Sequence, residues 1–450
     1  MQRSRVDARP SCAHARSKKT FMRQDRFAFV PIIVVALVAI SAVQPPAARG
    51  GTDVITVTTT DDELNVDGDC SLREAVMAAN TNVPVDACPA GAVGLDVIEL
   101  EASTYTLSIP GADEDLGATG DLDILEPVQI LADVRGPNAI IDGGGLDRIF
   151  DVSETVTAGR FSLLTLQNGS AGSDTGGAVR LRDACGAERG NMTMAGVVLQ
   201  GNRAAAGGAV YVGACQDFEL FGVSAVDNAA DEAGGAVWTA GSFMFTQNST
   251  FSGNRAGAAG GAIWADPDSV LSILFTTMAR NSAPAAAALA AGRVNANYTI
   301  FADNAGPACD VEDMGGDSST SDDPTCPTTL EAEHMKLMPL GTVGGFPVHQ
   351  LSPSSPARDV DTLRCPDDLS FDQVGSPRPQ DGDGDGVAAC DAGASEAATV
   401  PLIPAPPALP DTAVSALADP RPPLSILVAA VIAALGWRRT RSSLGLRSDY

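Results

Sequence analysis

The 450-residue sequence has few histidines, few aromatic residues and little positive charge. It contains three His, four Tyr and three Trp, and its 29 Lys or Arg stand against 56 Asp or Glu, a formal charge of −27. Residues 1–50 hold nine of these basic and two of these acidic side chains, so the remainder has 20 basic and 54 acidic groups, or −34. An acidic surface of this kind repels phosphate backbones, and we expect no nucleic-acid partner.

The sequence also lacks any Cys-x-x-Cys motif, which together with the scarcity of histidine argues against a zinc site. Cys12 lies within the N-terminal fifty residues, and the other eight cysteines are an even set, as in the disulfide framework of an exported protein. Proximity along the chain suggests four pairs, namely Cys70–Cys88, Cys185–Cys215, Cys309–Cys326 and Cys365–Cys390.

The N-terminus has the layout of a secretory signal peptide over residues 1–50. A basic stretch ending at Arg26 precedes the apolar run Phe27–Val43 and then QPPAARG. An uncleaved membrane helix is the alternative, but the small residues between Ser41 and Ala48 favour cleavage. We therefore expect an exported protein.

The middle of the chain is an internal repeat. The segments VVLQGNRAAAGGAVYV, SAVDNAADEAGGAVWT and TFSGNRAGAAGGAIWA each combine a β-prone stretch, an Asn, a small-residue turn and Gly-Gly-Ala before another β-prone stretch. Asn202, Asn228, Asn254 and Asn281 follow one another at steps of 26, 26 and 27 residues. Such a constant period indicates one structural unit that is stacked repeatedly.

Short strands between tight turns predict an all-β fold, a right-handed single-stranded parallel β-helix with a short N-terminal capping helix. Stacked coils would align the recurrent Asn side chains in a hydrogen-bonded ladder. We expect its members to be Asn168, Asn202, Asn228, Asn254, Asn281 and Asn304. The glycine pairs would supply turns with positive φ. Alanines replace them around Ala285–Ala291, where we expect the stack to lose regularity.

The Gly-Gly-Ala-Val/Ile motif and the FxxN motif, literal in Phe251–Asn254 and Phe301–Asn304, resemble the repeats of polymorphic outer membrane proteins. That resemblance implies a surface-exposed β-helix associated with adhesion. Tyr211, Trp238 and Trp264 follow successive Gly-Gly-Ala motifs at steps of 27 and 26 residues. They are candidate sugar-binding residues, although a ring stack that only joins successive coils is the alternative.

Two terminal motifs define the ends of the repeat region. Cys70-Ser-Leu-Arg-Glu-Ala75, with its continuation to Asn80, resembles the CSLREA domain found at the N-terminus of exported bacterial β-helix proteins. Ser71 and Glu74 predict a capping box, and an amphipathic helix there would cover the open end of the stack. Arg73 and Glu74 are expected in surface or capping roles. We assign residues 51–110 to this cap, 111–310 to the repeats and 311–396 to the last coils and closing segment.

The closing segment contains the acidic run Asp381-Gly-Asp-Gly-Asp-Gly386. Carboxylates at alternate positions before a glycine resemble the first half of a calcium loop, although Ala392 stands where an EF-hand has Glu. The candidate calcium ligands are Asp381, Asp383, Asp385 and Asp391, and a solvated acidic turn is the alternative.

Residues 397–423 are rich in Pro and Ala and predict an unstructured linker, and 424–450 combine an apolar run with a basic end. This layout is typical of a bacterial sorting signal that fixes a protein to the cell wall or membrane. Leu409-Pro410-Asp411-Thr412-Ala413 resembles the LPxTG motif read by sortases, with Ala413 in place of Gly. The resemblance implies attachment through Thr412. The alternatives are a simple membrane anchor, or another C-terminal sorting system that reads the apolar run and the arginines.

No catalytic constellation is evident in the sequence. His334, His349 and Lys336 lie outside the repeats, and no acidic group could be assigned to Arg180, Arg182, Arg203, Arg255 or Arg280. The first hypothesis is therefore a non-catalytic cell-surface rod for adhesion or for contact with extracellular matrix or polysaccharide. The second is an extracellular polysaccharide lyase or hydrolase with an atypical site.

Overall fold

The computed structural model describes residues 54–111, 114–132, 138–186, 189–328, 330–331, 333–360, 365 and 370–398. The expected signal peptide, the linker beyond residue 398, the sorting motif Leu409–Ala413 and the apolar anchor 424–450 lie outside the described residues. No helix in the described ranges has the length and apolarity needed to cross a membrane.

The described chain consists of one helix and many short strands. The helix α1 is Leu72–Thr81. In chain order the strands are β1 Val54–Thr56, β2 Asp96–Leu100, β3 Thr104–Thr106, β4 Leu122–Ile124, β5 Val128–Ala132, β6 Ala139–Asp142, β7 Phe150–Val152, β8 Gly159–Ser162, β9 Leu164–Gln167, β10 Val179–Leu181, β11 Gly190–Ala195, β12 Val198–Gln200, β13 Arg203–Ala204, β14 Val210–Val212, β15 Gln216–Phe221, β16 Ser224–Val226, β17 Ala229–Ala230, β18 Val237–Thr239, β19 Phe243–Ser252, β20 Arg255–Ala256, β21 Ile263–Ala265, β22 Val270–Ala279, β23 Leu289–Asn297, β24 Ile300–Ala302, β25 Cys309–Gly315, β26 Thr320–Ser321, β27 Leu330–Glu331, β28 Gly341–Val343 and β29 Phe346–Val348.

Each coil contributes strands to three parallel stacks. The first stack contains β1, β2, β5, β8, β11, β15, the first halves of β19 and β22, and the second halves of β23 and β25. The second contains β3, β6, β9, β12, β16, the second halves of β19 and β22, and then β24, β26 and β27. The third contains β4, β7, β10, β14, β18, β21 and the first halves of β23 and β25. The predicted parallel β-helix is confirmed, and strand pairing already begins at β1 and β2.

The interior is filled by columns of apolar side chains, one from each coil. Strand alternation turns every second side chain inward, so register pairing places like residues above one another. In the second stack Phe251, Met278 and Phe301 are consecutive members of one such column, and all three are 0% exposed. The Phe of each literal FxxN motif is therefore a core residue.

The asparagine ladder is confirmed from Asn202 to Asn304. Asn202, Asn228, Asn254 and Asn281 are each 0% exposed. In each step the side-chain Oδ1 accepts hydrogen bonds from the backbone N–H and the Nδ2 of the Asn one coil earlier, at 2.9 to 3.2 Å. Each Nδ2 of the five residues also donates to a backbone carbonyl of an earlier coil. The ladder thus satisfies polar backbone groups that the corner would otherwise bury unpaired.

The ladder prediction was wrong for Asn168. That side chain is exposed with φ 55°, and the backbone N–H of Gly169 donates to Asn202 Oδ1 at 2.9 Å. Gly169 therefore holds the position that Asn occupies in later coils. Because the first copy is offset by one residue, alignment by residue type alone chose its neighbour.

The two glycines of each pair have different structural roles. Gly207 has φ 61°, which an L side chain rarely adopts, and a Cβ on Gly208 would collide with the carbonyl oxygen of Gly235. In the alanine-containing copy the stack continues, contrary to the expectation of lost regularity. Ala286 takes φ 51° without a glycine, and β23 pairs in parallel with β21 and β25 around it.

The capping helix is confirmed. Ser71 is its N-cap, and its side chain and that of Glu74 form the capping box reciprocally. Arg73 does not lie at the surface, because its side chain is fully buried, and its role in the cap is structural. Its guanidinium binds both carboxylate oxygens of Asp62 and donates to the carbonyls of Gly117, Gly120 and Asp121. This arginine ties the cap to the loop before β4.

All four predicted disulfides are formed. The Cα atoms of the pairs are 4.9 Å apart for Cys70–Cys88, 5.0 Å for Cys185–Cys215, 4.9 Å for Cys309–Cys326 and 5.5 Å for Cys365–Cys390. Each bridge links parts of the chain within 30 residues of one another. They reinforce local loops at the two ends and along the rod.

Part of the chain after β27 runs back along the outer surface of the second stack, and we name its described residues, 335–360 and 370–397, the flank segment. Gln373 accepts a hydrogen bond from Thr250 and donates to Ser224. His349 Nδ1 contacts the carbonyl oxygen of Met338 at 2.8 Å, so this nitrogen carries the proton and Nε2 accepts from the Ser252 hydroxyl. The flank segment therefore hides most of this outer face from solvent.

Strand β25 forms the far edge of the first and third stacks within the described residues, since its strand partner there is β23 alone. Asp310, Glu312 and Asp313 place three negative charges on it, and all three residues are exposed. Charged side chains on an edge strand oppose pairing with another chain.

Candidate functional site

The third stack presents one continuous column of outward side chains. Successive register pairs place one residue from each coil in this order: Asp123, Asp151, Arg180, Tyr211, Trp238, Trp264, Ala290, Asp310. The column divides into acidic and basic residues near the cap and aromatic residues in the middle. Unlike the second stack, it is not covered by the flank segment at its ring-bearing positions, which stay half-exposed.

The sequence-predicted residues Tyr211, Trp238 and Trp264 form a ring column. Tyr211 and Trp238 have ring centroids 4.6 Å apart and an interplanar angle of 6°, and Trp238 and Trp264 are 4.8 Å apart at 13°. These spacings match the interstrand distance of about 4.8 Å, so the strands themselves set the stacking. The rings contact one another through their faces and turn their edges toward solvent.

A charged network continues the column below Tyr211. Its members are Asp115, Asp121, Asp123, Arg148, Asp151, Asp174, Arg180 and Arg182. Asp151 pairs with Arg180 and, at 2.7 Å, with Arg182. Asp174 joins Arg148, at 2.6 Å, to Arg180. The sequence-based statement that no acidic constellation surrounds Arg180 and Arg182 was therefore wrong.

Burial and ion pairing shift the pKa values of the two central carboxyl groups, Asp123 and Asp151, in opposite directions. Burial raises the pKa of Asp123 to about 6, although the Gly117 N–H donates to this carboxylate at 2.7 Å. Burial acts in the same direction on Asp151, but the hydrogen bonds from Arg180 and Arg182 outweigh it and lower the pKa of Asp151. Two aspartates of one column thus differ in their readiness to ionise.

The charged network is poorly placed for catalysis or for holding a metal. Asp123 and Asp151 are 1% and 2% exposed, and the loop that carries Gly117 covers Asp123. Their carboxylate oxygens and one of Asp115 lie within 4.8 Å of one another, but the arginines already neutralise Asp115 and Asp151. The groups of this network that solvent reaches are chiefly Asp115, Asp174 and Arg182, which can donate and accept hydrogen bonds at the surface.

The other predicted site residues fall elsewhere. Asp381, Asp383 and Asp385 bring carboxylate oxygens within 4.8 Å of one another in an exposed turn. Asp391 is not in this group; its side chain is buried, and its oxygens accept hydrogen bonds from the backbone N–H groups of Asp359 and Ala397. The three loop aspartates, as hard oxygen donors, fit calcium chemistry.

The fold and the outward column define the class: a β-helical repeat protein with an aromatic and ionic surface strip. Residues 248–266, which span the end of β19 to β21, match the Chlamydia polymorphic membrane protein repeat. This stretch includes Phe251, ladder residue Asn254, the pair Gly260–Gly261 and Trp264, so the matched motif is the structural repeat itself. No curated protein and no solved structure matches the chain.

Proposed function

We propose that this protein is exported and surface-exposed, and that it binds an extended extracellular polysaccharide along the third stack without cleaving it. Similarity of one coil to a repeat named for membrane proteins of Chlamydia supports a surface location. Four disulfides and a strongly acidic chain suit an oxidising, extracellular environment. We further propose that residues 51–110 are a CSLREA cap and that the tail from 397 fixes the protein to the cell wall or membrane.

The observation that carries the binding proposal is the ring column in line with the charged network. Tyr211, Trp238 and Trp264 keep half-exposed rims while the strands hold them rigidly, so binding costs little side-chain entropy. Arg182 and Asp115 supply polar partners for hydroxyl groups at the cap-proximal end. A rigid apolar strip with a few placed polar groups is the arrangement that carbohydrate ligands require.

The proposal is tested by screening the protein on a glycan array and then measuring affinity for the best polymer. We expect Trp238→Ala to weaken binding by about tenfold, or about 1.4 kcal/mol, since it removes the central ring edge that the polymer would contact. The matched control is Phe245→Ala, which removes a half-exposed aromatic side chain from the outer face of the first stack. Far-UV circular dichroism must show that both variants fold.

Equal affinities for the two variants would contradict the ring column as the binding surface. The polymers that bind are also incubated with the protein and assayed for new reducing ends and for unsaturated uronate products. Sustained turnover would replace the binding proposal by the lyase or hydrolase alternative.

A further inference from the structure

A cleft lies on the corner of the rod between the second and third stacks. There β13, β17 and β20 form a small parallel sheet whose register stacks Arg203, Ala229 and Arg255 in one column. Two coils separate the arginines, which puts their backbones roughly 9.6 Å apart. Between them the Ala229 methyl group leaves room, and the cleft has a volume of about 350 Å³.

The cleft has two positive groups and one negative group. Its lining is Arg203, Ala229, Ala230, Asp231, Arg255 and Gly257. Arg203 pairs with Asp231 at 2.6 Å, and both side chains are more than half exposed. Within the part of the chain that the structure describes, the exposed Arg255 guanidinium forms no ion pair or hydrogen bond.

Two arginines at one cleft are unexpected in this chain, because the part beyond residue 50 has 54 acidic and 20 basic side chains. Arg203 and Arg255 both line the cleft, one coil before and one coil after Ala229. Planar guanidinium groups bind oxyanions through two parallel hydrogen bonds. The cleft thus has a net positive charge where the surrounding surface is acidic.

We propose that this cleft binds a carboxylate or sulfate group carried by the polysaccharide, so that the ligand is an acidic glycan. The inference rests on the proposed function and specifies the chemistry of its ligand. Arg203 precedes Tyr211 by eight residues in the same coil, so the cleft and the ring column occupy neighbouring parts of the rod surface. A single anion in so open a cleft gains little, whereas an extended polymer can contact both places at once.

Three polymers with one backbone test the proposal: dextran, carboxymethyl-dextran and dextran sulfate. The full exported protein is titrated with each at about 0.15 M NaCl, where the Debye length of about 8 Å screens the distant acidic surface. We expect one or both anionic polymers to bind more tightly than dextran. The polymer that binds more tightly, carboxymethyl-dextran or dextran sulfate, shows whether the cleft prefers a carboxylate or a sulfate group.

Two variants and one control locate the binding. Arg255→Ala is expected to weaken anionic-polymer binding about tenfold, as for the loss of a charge-assisted hydrogen-bonded pair. Asp231→Asn is expected to strengthen it by about threefold, because Arg203 is released from a weak exposed ion pair. Arg293→Ala removes an exposed arginine from the first stack and should change nothing.

The inference is overturned if neither anionic polymer binds better than dextran, or if Arg255→Ala and Arg293→Ala behave alike. Binding of an array-selected neutral glycan that depends on Trp238 but not on Arg255 would also overturn it while leaving the proposed function intact. An increase in affinity for Asp231→Asn supports it independently, because damage to folding cannot produce tighter binding.

Discussion

Removal of one ladder asparagine tests how the rod is held together. In Asn228→Ala four hydrogen bonds disappear: two from Asn202 to Oδ1, and those that Nδ2 donates to Leu199 O and Asn254 Oδ1. The backbone N–H of Asn202 and the carbonyl of Leu199 then lose buried partners that water cannot replace, since Asn228 is 0% exposed. At roughly 1–3 kcal/mol for each unsatisfied group, we expect a loss of about 4 kcal/mol.

The assay is urea unfolding followed by the fluorescence of Trp238 and Trp264, which belong to the neighbouring third stack. The control is Asn295→Ala, because Asn295 is exposed on the first stack and its side chain accepts one hydrogen bond, from the nearby Asn297. We expect that control to change stability by no more than about 0.5 kcal/mol. If Asn228→Ala costs no more than the control, the ladder does not carry the stability assigned to it.

Four further predictions concern the cap, the repeats, the flank segment and the acidic loop. Arg73→Met should lower the free energy of unfolding in urea by about 3–5 kcal/mol, because it leaves the buried Asp62 carboxylate without its ion-pair partner. Ala286→Gly should raise the urea midpoint, with a gain of about 0.5–1 kcal/mol from relief of its positive φ. Burial lowers the pKa of His349 below 6.5, so as the pH falls the unfolded chain binds a proton at a higher pH than the folded chain does. The free energy of unfolding should therefore decrease below pH 6.5, and more steeply for the wild type than for His349→Gln. Ca²⁺ at about 10 mM should raise the melting temperature of the wild type but not of Asp383→Asn, since extracellular calcium modules have roughly millimolar dissociation constants. Equal shifts in the two proteins would exclude the acidic loop as the calcium site.

The repeat could be predicted because its signals are local and recur. Asn202 and its successors share a neighbourhood of small residues at a fixed period, and the same period placed Trp238 and Trp264 in one column. The disulfides followed from short separations along the chain. The cap helix followed from Ser71 and Glu74, whose spacing is that of a capping box.

The charged network could not be predicted because its contacts depend on stacking register. Asp151 and Arg180 are 29 residues apart, and a shift of one residue would turn one of them inward. The same sensitivity explains why Asn168 was chosen instead of Gly169. The flank segment is held by scattered polar contacts such as Gln373 to Ser224, which have no periodic signal in the sequence.

The acidic far edge at β25 affects how copies of this chain associate with one another at high concentration. Parallel β-helices carry, at each tip, a template on which another copy could grow as a filament. Here Asp310, Glu312 and Asp313 put three negative charges on the edge strand that an incoming copy, itself acidic, would have to pair with, so mutual repulsion discourages fibre formation. Copies at high local concentration can therefore remain separate.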